Sequence, residues 1–160
     1  MDHAKPLLSG MELRPDFVLL DLQAGSNTEV LEKMASRLLE EGMVKSSFQS
    51  AILKREEEHC TGLAFADMGV AIPHTDPVHV ITPCLAIAAL KNAVDFQSMG
   101  MPDVPCKTEM VFMLAITDPD TQLGFLQALM QIFSEPGRLP ALKACKTAEE
   151  LTQLFKSYFE

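Results

Sequence analysis

Met110-Val111-Phe112-Met113-Leu114-Ala115-Ile116 is an uninterrupted apolar run. A strand with one face in water alternates apolar and polar residues, so a run this continuous belongs at the centre of a sheet covered on both faces. The next stretch of chain supplies part of that cover. Thr117-Asp118-Pro119-Asp120 is turn chemistry in which Asp118 can cap a helix that takes Pro119 at its first position. Leu123, Leu126, Leu129, Met130 and Phe133 then recur at helical spacing and read as core. Ser134-Glu135-Pro136 restarts the chain as a short helix to about Ala144. Thr147 and Glu150 form a capping box for a closing helix with Leu151, Leu154, Phe155, Tyr158 and Phe159 on its apolar side.

Upstream, Phe17-Val18-Leu19-Leu20 is a strand candidate. Ser26 three residues before Glu29 makes a second capping box, and Val30, Leu31, Met34, Leu38 and Leu39 form the stripe of a helix stopped by Gly42. Ser46 or Ser47 caps the next helix, with Gln49 at the box position of Ser46 and Phe48, Ala51, Ile52 and Arg55 on one side. Its last turn, Arg55-Glu56-Glu57-Glu58-His59, reads as a solvated end from which Arg55 stands apart on the apolar face. Cys60 to Phe65 lead through a loop to the strand Val70-Ala71-Ile72, which Pro73 halts. Beyond it lie a buried strand over Leu85–Leu90, a turn at Lys91-Asn92, a short strand Val94–Phe96 paired back onto it, and a loop over Pro102–Pro105. The order β-α-α-β-β-β-β-α-α-α predicts a single α/β domain over residues 16–160, a three-layer-like sandwich with a central mixed β-sheet flanked by helices. Residues 1–15 carry no pattern and read as an N-terminal extension.

With 13 basic against 22 acidic residues the formal charge is −9, and the basic residues are scattered, which argues against a nucleic-acid partner. No signal peptide and no apolar run of membrane-spanning length is present, so the expectation is a cytoplasmic protein without direct membrane insertion. Cys60, Cys84, Cys106 and Cys145 are far apart and read as reduced thiols. His74, His79 and Cys84 match no familiar zinc spacing, and Pro73, Pro77 and Pro83 keep them off one helix. Neither a metal nor a cofactor is expected.

Pro73 sends His74 out of the sheet onto the irregular segment Thr75-Asp76-Pro77. A histidine there is either a hydrogen-bonded structural residue or a reactive group on a rigid support. Arg55, on the inward face of the preceding helix, could guide a phosphate or carboxylate through its planar fork of donors. His3, His59 and His79 read as surface or structural residues.

Arg55-Glu56, Thr61-Gly62, Val70-Ala71-Ile72-Pro73-His74, Val94-Asp95-Phe96 and Asp118-Pro119 with Gln122-Leu123 and Leu126 together carry a resemblance. From about residue 16 to 158 the chain resembles the enzyme IIA components of the bacterial sugar phosphotransferase system, in the fructose/mannitol superfamily and nearest its galactitol-type branch. The resemblance implies that His74 accepts a phosphoryl group from the phosphohistidine of HPr and passes it to a cysteine of a IIB component, while Arg55 steadies the group. Gln122 stands where mannitol and fructose members carry a second histidine, which leaves it a neutral donor to substrate. Two other readings remain open: a regulator that signals by phosphorylation of His74, and a non-catalytic interaction module.

Overall fold

Alternation along the apolar run divides the core in two. In the computed structural model, which describes residues 11–159, the run forms the second half of strand β5 (Met101–Ala115). Met110, Phe112 and Leu114 pack into one hydrophobic cluster, and Val111, Met113 and Ala115 into the other. Because successive side chains of a strand point to opposite faces, a run that is apolar throughout must be covered twice. Helices α1 (Asn27–Glu40) and α2 (Phe48–Glu58) cover one face. Their Val30, Leu31, Met34, Leu38, Phe48 and Ile52 meet the small strand residues Ala71, Ala86 and Ala88. Helices α3 (Pro119–Ser134), α4 (Arg138–Lys143) and α5 (Ala148–Ser157) cover the other. There Phe125, Phe133 and Phe155 fill the space above Ile72, Leu85, Ile87 and Phe112.

The remaining strands are β1 (Val18–Leu22), β2 (Gly62–Ala64), β3 (Gly69–Ala71) and β4 (Cys84–Ser98). The five-stranded sheet is mixed. β4 and β5 form a long antiparallel hairpin, β1 runs parallel to β4, and β3 runs parallel to β5. β2 pairs antiparallel with β3 and touches the far end of β4 through Gly62 and Ser98, which closes a ring over this end of the sheet. The ring is tight. A Cβ on Gly62 would lie 2.7 Å from the Gln97 carbonyl oxygen, and one on Gly69 would lie 2.1 Å from that of Lys107.

The central sheet flanked by helices agrees with the sequence expectation; four details differ. β4 is continuous: Leu85–Leu90 and Val94–Phe96 do not pair with each other, because both pair with β5. The register slips between Ala89 and Val94, and Lys91, Asn92 and Ala93 lie exposed at the irregularity, so the polar pair marks a bulge rather than a hairpin turn. The actual turn is Met99-Gly100, with Gly100 at φ 77°. Residues 102–105, expected as a loop, belong to β5; they lie in its exposed outer part, where a proline costs less ladder bonding. Gly62–Ala64, also expected as loop, is β2. Finally, packing begins before residue 16: Glu12 bridges Cys84, and Leu13 is only 6% exposed. Residues 1–10 of the expected extension, including His3, lie outside the described residues.

Helix starts follow their caps. Glu29 N–H donates to Ser26 Oγ, Thr121 N–H to Asp118, and Glu150 N–H to Thr147 Oγ1. Ser47 is the exception. It occupies the N-cap of α2 without a side-chain capping bond, and its hydroxyl lies 2.8 Å from His79 Nδ1 instead.

Candidate active site at the C-terminal ends of β3 and β5

Parallel pairing puts the C-terminal ends of β3 and β5 on the same edge of the sheet, where open α/β folds hold their ligands. Past β3, the chain continues through Ile72 and Pro73 to His74. The Leu114 N–H donates to the Pro73 carbonyl at 2.9 Å, and His74 forms a parallel bridge with Leu114. Past β5, Ile116, Thr117 and Asp118 lead directly into α3, which carries Gln122 in its first turn. His74 therefore sits between the end of the central strand and the loop that begins α3.

The His74 ring is half-buried and oriented. Its Nδ1 lies 2.9 Å from the Ile72 carbonyl oxygen. A carbonyl can only accept, so Nδ1 carries the proton of the neutral ring and Nε2 keeps its lone pair. Burial holds the imidazole below its ordinary range. The Ile72 carbonyl opposes this, and the positive charges of Arg55 and His59 add to the depression. A ring kept neutral with Nε2 free is a nucleophile near neutral pH.

Arg55 approaches from α2, close enough for its charge to act on His74. It takes part in none of the ion pairs among the described residues, including any with Glu58. Its Nε is buried and has no hydrogen-bond partner. A buried donor on a charged group without a partner costs about 1–3 kcal/mol or more, and such a cost persists in a native structure where a ligand can satisfy it.

Gln122 is half-buried; its N–H donates to the Asp118 carbonyl at 2.9 Å. Among the described residues no hydrogen bond joins it to His74. The site thus brings Arg55 and His74 together and leaves Gln122 on the adjoining helix. His79 lies on a short 3₁₀ turn, Pro77–His79, with Ser47 as its partner.

The run Arg55 to His59, expected as a solvated helix end, is not solvated throughout: Glu56 is only 5% exposed. Its carboxylate accepts the Thr61 N–H at one oxygen and the Thr61 hydroxyl at the other, each at 2.8 Å. Burial pushes the carboxyl up to about 7, and the two Thr61 bonds pull against that rise. The signal was present in the spacing, since Phe48, Ile52 and Glu56 recur every fourth residue and are the buried positions of α2. A run of three glutamates concealed it.

A loop histidine with a lowered pKa and an arginine that enters no ion pair among the described residues thus lie at the carboxyl edge of the sheet. Residues 11–158 match the family model of the phosphoenolpyruvate-dependent sugar phosphotransferase system, EIIA 2, and the chain belongs to this family. It is an EIIA component similar to galactitol- and mannitol-specific ones, a class of phosphotransferase. The galactitol-specific EIIA component of Escherichia coli strain K12 is 27% identical over 120 residues, which cover 75% of this chain and 79% of the relative. The mannitol-specific enzyme IIA component of Staphylococcus aureus strain MRSA252 is 28% identical over 145 residues, covering 88% and 92%. Among solved structures, the complex of enzyme IIAMTL with phosphorylated enzyme IIBMTL from Escherichia coli aligns with TM-score 0.74 at 17% identity, over 92% of this chain and 99% of that one. At that identity the likeness concerns the fold. No helix among the described residues is long and apolar enough to cross a membrane.

Proposed function

We propose that His74 is the phosphoryl acceptor and donor of this EIIA component, taking the group from the phosphohistidine of HPr and passing it to a cysteine of a cognate IIB component. The observation that carries this reading is Arg55, a half-buried guanidinium with an unpaired Nε beside a histidine whose free nitrogen is Nε2. In the first step the Nε2 lone pair attacks phosphorus, the donor's N–P bond breaks, and its electron pair returns to the donor ring. In the second, a IIB thiolate attacks the same phosphorus and the pair returns to His74 Nε2. Nδ1–H stays on the Ile72 carbonyl throughout, so no proton need move on this side. Phosphoryl transfer depends mainly on positioning and charge stabilisation. Arg55 supplies the charge, and Gln122 supplies a neutral donor from α3.

The substrate of the whole system would be a sugar alcohol of the galactitol kind, by similarity to the galactitol-specific relative. Incubation with enzyme I, HPr and phosphoenolpyruvate, followed by intact mass, is expected to show one acid-labile phosphate. His74→Ala is expected to show none, and wild-type uptake by that variant would remove His74 from the role. Transfer onward to purified IIB separates a transport carrier from a regulator.

A further inference from the structure

Arg55 and His74 come from different elements, and one hydrogen-bonded path joins them. It starts at Glu56, the residue after Arg55, whose two carboxylate oxygens both accept from Thr61. Thr61 Oγ1 in turn accepts the Ile72 N–H at 3.2 Å, and the Thr61 carbonyl faces the same N–H at 3.4 Å. Ile72 then offers its carbonyl to His74 Nδ1 at 2.9 Å. Ile72 N–H can only donate and an ionised carboxylate can only accept, so with Glu56 ionised the Thr61 hydroxyl proton points to Glu56. Gly62 lets this corner sit where it does, since a Cβ there would strike the Gln97 carbonyl at 2.7 Å.

We infer that Glu56 and Thr61 are positioning residues for the phosphoryl site, fixing the Ile72 carbonyl that selects the Nε2-reactive ring while holding the last turn of α2, and with it Arg55, against the β3 end. The inference rests on the proposed role of His74. A side chain that holds a reacting group's own hydrogen-bond partner alters rate through geometry, and displacements of about 1 Å can cost about 100-fold.

Thr61→Val removes the hydroxyl and keeps the shape; Thr61→Ser restores the hydroxyl. In single-turnover phosphorylation by phospho-HPr, Thr61→Val is expected to lower the saturating rate by about 10- to 100-fold with an unchanged half-saturating donor concentration, and Thr61→Ser to recover most of it. The ring ¹⁵N spectrum of His74 in the unphosphorylated protein is expected to lose its single Nδ1–H form in Thr61→Val and keep it in Thr61→Ser. Glu56→Leu, which removes both oxygens that accept from Thr61, is the second variant should Thr61→Val fold poorly, with the same tautomer shift expected. Wild-type transfer together with an unchanged tautomer in the folded variants would overturn the inference. Because the tautomer is read without phosphate, a wild-type protein that takes no phosphate would refute the role of His74 and leave this test standing.

Discussion

At the scale of single residues the candidate site is built from groups whose proton affinity burial has moved. Burial lowers that of His74 and raises the Glu56 carboxyl to about 7, and these act on stability in opposite directions. Glu56 binds its proton more tightly folded than unfolded, so its contribution is fully present below about 4.5 and is lost as pH rises toward 7. His74 binds its proton less tightly folded, so its contribution is lost as pH falls below 6.5. Glu56→Gln is expected to flatten the fall in stability between pH 4.5 and 7, a span worth roughly 3 kcal/mol. Thermal unfolding across that range checks it; parallel curves for variant and wild type would show that Glu56 does not titrate there. Arg55→Ala is expected to slow phosphorylation about 10²–10³-fold with little loss of stability, and Arg55→Lys to recover part, because an ammonium keeps the charge without the fork. Rapid-quench rates beside melting curves test this, and near-normal transfer in the Ala variant would detach Arg55 from the site. His74→Ala should cost only about 1 kcal/mol, the worth of its bond to Ile72.

Elements were legible where local chemistry decides them. Ser26, Asp118 and Thr147 cap the helices their spacing indicated, and the apolar run is the covered strand. The errors fell where partners distant in sequence decide. Gly62–Ala64 has little strand character of its own and is a strand because β3 and the end of β4 pair with it. Lys91-Asn92 reads as a turn until β5 is seen to continue past it. Of the site, His74 and Arg55 stood out by motif and face. Glu56 showed only as the fourth-residue spacing from Phe48 and Ile52 that its glutamate neighbours hid, and its partner Thr61 is shown by the fold alone. The glycines of the ring offer a test at this scale. In Gly69→Ala the new Cβ would meet backbone at 2.1 Å, where no side chain can swing aside. A loss toward the upper end of about 1–3 kcal/mol is expected. Chemical denaturation measures it, and an unchanged midpoint would mean that the ring has slack.

Across the whole molecule, both helical layers rest on the same two strands, so neither can melt alone without exposing the shared sheet. The chain has no tryptophan and one tyrosine, and Tyr158 packs at the α4–α5 layer with its hydroxyl on the Arg138 carbonyl. Tyrosine fluorescence therefore reports one layer, and far-UV circular dichroism reports both. The two melting curves are expected to coincide; an earlier fluorescence transition would reveal a separable layer. The hairpin has a further consequence, for the order of folding. Its arms are separated only by Met99-Gly100, so β4 and β5 can meet early, whereas β1 and β3 must close longer loops to reach them. Pulsed hydrogen exchange during refolding is expected to protect Ala86–Ala88 before Val70–Ile72, and the reverse order would contradict it. Since Leu114 holds the peptide that delivers His74, the proposed nucleophile comes into position only when β3 docks. A half-folded or newly made chain would then be mute toward its donor, and phosphoryl groups would be drawn only by molecules that have finished folding.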